Sequence, residues 1–401
     1  MHPLVKPALR RGWRDLNTVQ FGMTPAHAMT LGPMDTATGS FLDLLNGARG
    51  LALLREEGRR MDLPDGHVDT LVERLARAGL VDDARGGGPA AQALREKKEV
   101  LERLRPDLEA LSLISAEPGG AIGRLAARRT LRVQVRGAGR VGVTLAALLS
   151  GAGVGGVDVR DVGRVQPWDV APGGLPAEAV GERRDEAARR VVRRAAPDRP
   201  PRRPDRAEEE TGLALVIIAP RDDVLVHAPD ARAAEPLMDS GTPHLYTGVV
   251  EGTGVVGPLV LPGGTGCARC LHEHRTDRDP GWPRLVAQWR SGQARRVGAC
   301  DLTLATAVAG LAAAHALAFL DGESPSVAGV RWEASVPTLH WRARPVWPHP
   351  ACSCGAAEKA KGEHSSTDGD PHATMVVQRP SAERREHADA ARPTGTWRAH
   401  V

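Results

Sequence analysis

The stretch LRVQVRGAGRVGVTLAALLS, residues 131–150, decides the fold of this chain. Leu131, Val133 and Val135 alternate with other residues in the pattern of a β-strand. A glycine-rich turn follows, and the apolar run 141–150 predicts a helix directly after it. Strand, glycine turn and helix in this order indicate the first unit of a Rossmann-like α/β domain.

Further strands are predicted at residues 157–159, 213–219 and 255–261, with helical segments between them. Strands that alternate with helices indicate a mostly parallel sheet. Hydrophobic residues make up 41% of the chain, which is enough for a core, but aromatic residues make up only 3%. We therefore expect Leu, Val and Ala to fill the core of this domain.

The glycine turn has a chemical interpretation. Gly137, Gly139 and Gly142 would let the backbone turn sharply and bring its N–H groups against phosphates at the start of a helix. Asp161 stands about twenty residues further on, where an acid can accept hydrogen bonds from ribose hydroxyls. The sequence predicts a nucleotide crevice here, or else a turn that serves only the close packing of helix on strand.

Two close pairs of cysteines predict a second site. Cys267 and Cys270 lie after a glycine-rich turn, and Cys352 and Cys354 follow much later in the chain. Four thiolates fit tetrahedral Zn²⁺ and leave no open position, as in a structural site. Disulfides and unligated thiols are the alternatives, and His272 or His274 could replace one thiolate. We expect metal rather than disulfides because we find no secretory signal.

The chain before the glycine turn predicts a small separate module over residues 1–90. Two short strands, at 17–22 and 28–31, precede three short helices, and this is the order of an α+β winged helix. The rest of the chain is expected to divide into a charged helical connector at 91–130, the α/β domain at 131–358 and a disordered polar tail at 359–401.

Charge and hydropathy narrow the class of protein. With 53 basic and 49 acidic residues the net charge is only +4, which does not indicate nucleic-acid binding. Residues 183–206 hold ten arginines, and this run could attract phosphates or an acidic peptide, or form a solvated helix face. The Ala-rich stretch 302–320 predicts a buried core helix rather than a membrane span. We expect a cytoplasmic protein without a membrane partner.

Taken together, these motifs resemble the ThiF/MoeB/HesA superfamily, whose members are relatives of ubiquitin-activating enzymes. The resemblance covers residues 125–356 and rests on the order of glycine turn, ribose acid, CxxC pair, Ala-rich helix and final cysteines. It implies a ThiF-type domain that adenylates the C-terminal carboxylate of a small carrier protein or peptide with MgATP. It also implies a homodimer with one structural zinc in each subunit.

The sequence departs from the family pattern where the chemistry takes place. Gly163 stands where the family has a second aspartate that serves Mg²⁺, and the run 168–174 lacks the arginine that meets the triphosphate. Arg221 replaces the aspartate of a Thr-Asp-Asn triplet, whereas Arg184 takes the place of a lysine and keeps its charge. Adenylation builds charge that metal and cations must offset, so these losses predict little activity.

Other side chains could compensate for these losses. New cations could come from arginines near the turn, and an acid for the metal from the segment after the third strand; the candidates are Arg140, Arg160, Arg164, Arg221, Asp222 and Asp223. Cys300, just before the Ala-rich helix, could be a thiol that accepts the activated carboxylate, with a pKa lowered by the helix N-terminus. The alternative for Cys300 is a buried, inert thiol.

The front module is similar to PqqD-like winged helices, which recognise the leader peptides of ribosomally made natural products. Such modules bind the leader as an added strand at a sheet edge, and residues 19–22 are expected near that edge. The alternative is a winged helix that only packs against its neighbour.

We expect a protein that binds a peptide or small carrier protein, with an altered adenylation site, and delivers it to a partner modifying enzyme. An active adenylyltransferase and a non-catalytic zinc-stabilised scaffold are the other candidates.

Overall fold

The computed structural model describes residues 1–198, 212–292 and 297–358. The disordered tail expected at 359–401 lies outside the described residues. So does the last third of the arginine-rich run, from 199 to 206.

The first part of the chain forms short strands and helices, and the helices predicted there are all present. Asp35 caps the first helix, because its carboxylate accepts a hydrogen bond from Thr38 N. Phe21, Leu54 and Leu75 are fully buried in one apolar cluster. The elements are β1 (Pro3–Val5), β2 (Arg11–Trp13), β3 (Val19–Phe21), β4 (Met29–Leu31), α1 (Thr36–Phe41), α2 (Leu51–Arg60), α3 (His67–Arg77) and β5 (Val81–Asp83).

Strand order in this part corrects one expectation. Strands β2, β3 and β4 form an antiparallel sheet in that order, and β1 pairs separately with β5. Because β3 is the middle strand, the prediction that residues 19–22 lie near an open edge is wrong. The edges are β2 and β4. The sequence gives little sign of β2, since Arg-Gly-Trp is too short to show an alternating pattern.

A helical layer follows, as predicted for the connector. Its buried apolar residues, among them Leu94, Leu104 and Leu125, form a cluster of their own. Lys6 ties the first strand to this layer, because its buried ammonium donates to Ser115 O at 2.8 Å. The helices are α4 (Gly88–Glu96), α5 (Lys98–Arg103), α6 (Arg105–Ile114) and α7 (Gly120–Arg128).

The rest of the described chain builds one seven-stranded sheet with helices packed against it. Its elements are β6 (Arg132–Arg136), α8 (Arg140–Gly151), β7 (Gly156–Arg160), α9 (Arg184–Ala195), β8 (Leu215–Ile218), α10 (Asp223–His227), α11 (Ala231–Asp239), β9 (His244–Val250), β10 (Thr253–Val260), α12 (Ala268–Arg278), α13 (Trp282–Ser291), α14 (Leu302–Leu320), β11 (Val330–Ser335) and β12 (Arg342–Pro345).

The strand order is β12-β11-β10-β9-β8-β6-β7. The four strands β7, β6, β8 and β9 run parallel, and β10 to β12 continue the sheet as an antiparallel meander. The predicted α/β class with a mostly parallel Rossmann-like sheet is confirmed. Strand order reverses at β6, whose C-terminal end leads into the glycine turn, so a crevice is expected at that end of the sheet.

The longest apolar helix belongs to the core of this domain. By length and composition α14 could cross a membrane. It packs instead against α8 and strands β9 and β10, and its side chains Leu304, Val308 and Ala312 are fully buried in the main apolar cluster. The small alanine side chains let the helices approach closely, as expected for a core helix.

Separate apolar clusters occur in the front part, the connector and the sheet domain. All three parts nevertheless belong to one compact unit, so the boundaries at residues 90 and 130 stay predictions.

Two ion pairs join α7 to the end of α14. Arg128 and Asp321 form a buried pair, with Nε at 2.6 Å from Oδ1, whereas Arg124 and Glu323 form a partly exposed pair.

The two pairs allow a matched prediction about stability. Asp321→Ala leaves a buried guanidinium without its partner, so we expect the free energy of unfolding to fall by about 3–5 kcal/mol. Glu323→Ala breaks the partly exposed pair between α7 and the residues that follow α14, and should cost less than about 1 kcal/mol. Urea unfolding followed by circular dichroism measures both values. Equal losses in the two variants would contradict the assignment of the buried pair as the main tie.

Candidate functional site

Two of the three glycines in the turn are required by the backbone that surrounds them. A Cβ at Gly137, whose φ is +118°, would lie 1.9 Å from Ala219 O. A Cβ at Gly142 would lie 2.0 Å from Gly137 O. Contacts this short with backbone atoms cannot be relieved by a side-chain rotation. These two glycines therefore serve the close packing of α8 against β6 and β8, whatever the crevice binds.

Gly139 differs from the other two glycines. A Cβ there would meet a side chain, Arg221 Cγ at 2.8 Å, rather than backbone. In a dinucleotide-binding turn the second glycine leaves room for a pyrophosphate to approach the backbone. In this chain the aliphatic part of Arg221 lies over that position.

Asp161 lies at the predicted place but is engaged within the protein. Its Oδ2 accepts a hydrogen bond from Ala138 N in the glycine turn at 2.6 Å, and its Oδ1 accepts one from Arg184 Nε at 3.1 Å. Arg184 is buried and also donates to the carbonyl oxygens of Val162 and Arg164. The predicted ribose acid and the predicted phosphate-binding cation thus form a salt bridge with each other.

Asp169 is a site residue that the sequence analysis did not identify. Its carboxylate is almost fully buried and accepts from Arg221 Nε at 2.9 Å and Nη2 at 2.6 Å. The other oxygen accepts from Gln166 N at 2.9 Å and lies 3.8 Å from Arg184 Nη1. The available signal was an acid in the loop after the second strand, at the end of the sheet where parallel strands place their loops.

These groups surround a cleft of about 180 Å³ at the turn. Among the described residues its charged lining consists of two arginines and two aspartates, whose charges balance. Of the two aspartates, Asp169 is paired with Arg221, whereas Asp223 forms no ion pair in the part of the chain described. The lining includes Gly139, Arg140, Trp168, Asp169, Arg221 and Asp223.

The other candidates near the turn have structural partners. Arg164 donates to Gly181 O at 2.7 Å, and Arg160 lies 3.3 Å from Asp158. Asp222 caps α10, because its carboxylate accepts from Val224 N at 2.8 Å. None of these three residues is among those that line the cleft in the described chain.

Cys300 lines the cleft and directly precedes Asp301, the N-cap residue of α14. Its carbonyl oxygen accepts from Arg140 Nη1 at 2.8 Å. Burial raises the pKa of the Cys300 thiol, and the nearby Arg140 only partly offsets this effect. The shift is opposite to the lowered pKa that the helix N-terminus predicts. An activated thiolate is not favoured there.

The structure brings the four cysteines together. Cys267 is the N-terminal cap of α12, and Cys270 lies in its first turn. The Sγ atoms of Cys267 lie 3.7 Å from Cys270 and 3.6 Å from Cys352, and Cys270 lies 3.6 Å from Cys354. Four sulfurs around Zn²⁺ at about 2.3 Å would be about 3.8 Å apart in a tetrahedron. The spacing fits a four-thiolate metal site and is too long for disulfide bonds.

The clustered thiols shift one another's pKa values in opposite directions, and the hydrogen bond to Cys270 and burial raise the pKa of Cys267. The hydrogen bond from Cys267 lowers the pKa of Cys270 to about 4, and burial raises the pKa of Cys352 to about 11. His272 and His274 lie outside the cysteine group in the described structure. His272 Nδ1 accepts from Trp282 Nε1, and His274 Nε2 lies 3.1 Å from Trp347 O. The identity of the metal stays a prediction.

The cysteine cluster leads to a test by metal analysis. We expect purified protein to carry stoichiometric zinc, and Cys352→Ser to lose most of it and unfold at a lower temperature, because a structural metal contributes folding free energy. Cys300→Ser removes a thiol outside the cluster and is the control. Mass spectrometry of the metal content gives the comparison. Full zinc retention by Cys352→Ser would refute the four-thiolate assignment.

Comparisons with known proteins place this geometry in context. The sequence profile of the ThiF family matches residues 114–356. No curated protein sequence matches the chain. The structure of the microcin C7 biosynthetic enzyme MccB with N-formylated MccA is similar, with a TM-score of 0.62 and 13% identity, over 88% of this chain and 100% of that chain.

Two further solved structures are similar to this chain over most of its length. E. coli MccB with AMPCPP and MccA has a TM-score of 0.63 and 13% identity, over 89% of this chain and 100% of that chain. PaaA has a TM-score of 0.61 and 17% identity, over 86% of this chain and 100% of that chain. At these identities the likeness shows the fold alone. Because the family profile spans more than half of the sequence, this chain belongs to the ThiF family.

Proposed function

We propose that this protein binds a peptide, or the end of a small carrier protein, in a peptide-modification pathway, and that its crevice does not perform MgATP-dependent adenylation. It would deliver its peptide to a partner modifying enzyme. The observation that carries the second part is the Arg221–Asp169 pair, which lies over Gly139. We expect a cytoplasmic homodimer with structural zinc.

Electrostatics support this proposal. Adenylation needs Mg²⁺ and spare cations to offset charge on the α-phosphate. In this crevice Asp161 is paired with Arg184, and Asp169 with Arg221. A metal that took either carboxylate would leave a guanidinium without its partner in a poorly hydrated place, which is costly. A triphosphate that took either guanidinium would do the same to an acid.

The small size of the cleft also supports a crevice that does not bind MgATP. Sites for small ligands usually enclose about 300–1,000 Å³. The cleft at the glycine turn encloses about 180 Å³, and the Arg221 side chain lies over Gly139 in its lining. We infer that a nucleotide would have to displace Arg221 before it could reach the backbone of the turn.

The peptide part of the proposal rests on likeness and on an open sheet edge. MccB, a microcin C7 biosynthetic enzyme, has been solved in complex with MccA. A match over 88% of this chain leaves out about 12% of it, too little to omit all of residues 1–90. In the described chain β2 pairs with β3 alone, so one edge of it is open.

The hydrogen-bonding pattern shows which groups the open edge offers. Gly22 N donates to Arg10 O, and Arg14 N donates to Thr18 O, so Arg10 and Arg14 face β3. Because facing alternates along an antiparallel strand, the backbone groups of Arg11 and Trp13 point to the open side. Trp13 is half exposed there. An extended peptide could therefore add as a strand beside β2, with Trp13 as an apolar contact.

An active adenylyltransferase is the second candidate, and one observation favours it. Asp223 lines the cleft without an ion pair in the described structure, and Arg140 lines it as well. If Arg221 moved away, Asp223 could bind Mg²⁺ and Arg140 could meet a phosphate.

Nucleotide assays separate the two candidates. With a candidate peptide, such as one encoded beside the gene, we expect the wild type to show no ATP–pyrophosphate exchange above buffer and no Mg²⁺-dependent ATP binding. Arg221→Ala should open the crevice and strengthen ATP binding, whereas Arg284→Ala, an exposed control on α13, should change nothing. Clear exchange by the wild type, with a loss of about a hundredfold in Arg221→Ala, would instead establish a working enzyme that uses Arg221 as a cation.

Fluorescence polarisation with the same labelled peptide tests the β2 edge. Trp13→Ala should weaken binding about tenfold, the effect of losing one apolar anchor. Trp289→Ala is the matched control, because Trp289 is a similarly exposed tryptophan on α13. Peptide binding that neither variant weakens would place the peptide elsewhere on the molecule.

A further inference from the structure

A second cavity, of about 580 Å³, lies between α12 and the strands β11 and β12. It shares no lining residue with the cleft at the glycine turn. Its charged walls come from Arg275 and Arg278 on the helix, and from Arg331, Glu333 and Arg344 on the strands. We refer to this space as the arginine cavity.

The sequence places these side chains opposite one another in a regular way. Leu271, His274, Arg275 and Arg278 follow the spacing of one helix face, so α12 turns cations toward the sheet. Arg331 and Glu333 are two residues apart on β11 and share one face of the strand. A helix that packs on a sheet normally presents apolar side chains at such positions. Here charged side chains occupy them and line a cavity.

The charges of the arginine cavity do not balance. Glu333 is the one acid among the described residues that line it, and it accepts from Arg331 Nε at 2.7 Å and Arg344 Nε at 2.8 Å. Arg275 and Arg278 have no carboxylate partner in the described chain. Among the described residues four guanidinium groups face one carboxylate, so the lining carries a net positive charge, which solvent screens least at the buried Arg275 and Arg331.

Burial makes this imbalance costly. Arg331 is only 2% exposed. Burial and the nearby Arg331 lower the pKa of Arg275 to about 10, so the guanidinium stays charged at neutral pH. Burial and the same two arginines lower the pKa of His227 to about 4, so this ring adds no charge. A bound anion would relieve the repulsion among the arginines.

We propose that the arginine cavity binds a small dianion through its oxygens, either a phosphate monoester or a dicarboxylate. Guanidinium groups bind both through paired N–H donors. The volume lies in the range of about 300–1,000 Å³ that small-ligand sites enclose, so there is room for more than the charged group alone. Trp347 is largely exposed in the lining and offers an apolar surface for the rest of the ligand.

Calorimetry on the full-length protein tests the proposal with inorganic phosphate and succinate as probes, at constant ionic strength set with chloride. We expect at least one probe to bind and to raise the unfolding temperature. Phosphate binding alone would assign a phosphate ester, and succinate binding alone a dicarboxylate. Absence of binding by both probes at millimolar concentration would overturn the proposal.

Variants separate a specific site from a general effect of charge. Arg278→Gln and Arg344→Gln leave the buried contacts of Arg275 and Arg331 in place, and each should weaken binding of the probe about tenfold. Arg284→Gln removes the same charge from exposed α13 outside the cavity and should leave the dissociation constant within about twofold. Equal weakening in all three variants, or no weakening in the first two, would overturn the proposal.

Discussion

The buried salt bridges beneath the glycine turn constrain everything that the crevice can do. Arg184 donates to Asp161 and to two backbone carbonyls, and its far end approaches Asp169, which in turn holds Arg221. Breaking one buried pair by removing a partner typically costs about 3–5 kcal/mol. The network is therefore a stable arrangement that a metal ion or a phosphate would have to outcompete. A crevice can retain the glycines of its family in this way while two of its aspartates are held in ion pairs with two of its arginines.

Local patterns in the sequence predicted the parts of the fold that have a clear period. The strand, turn and helix at residues 131–150 are present, and the Ala-rich stretch forms a helix over Leu302–Leu320, as predicted. The strand β9 was missed because its residues are nearly all buried and show no alternation. The strand β12 was missed for the opposite reason, since all four of its residues are exposed.

Pairing between distant side chains could not be predicted from spacing. Asp169 and Arg221 are 52 residues apart, and neither belongs to a periodic pattern. They meet because each follows a parallel strand and the loops after such strands gather at one end of the sheet. Gly142 illustrates the same limit. The motif was compatible with phosphate contact and with packing alone, and only the structure shows the packing requirement against Gly137 O, which would exist without any ligand.

Two helices connect the separate sites of this domain. The helix α12 begins at Cys267 and carries Arg275 two turns later, so the cysteine cluster fixes one wall of the arginine cavity. The short helix α10 begins beside the cleft at Asp223 and ends at His227, whose carbonyl oxygen accepts from Arg275 and Arg331. An anion that accepted hydrogen bonds from those guanidinium groups would compete with His227 O at the end of α10 for the same N–H donors. The five residues of α10 thus join the lining of the cleft to the lining of the arginine cavity.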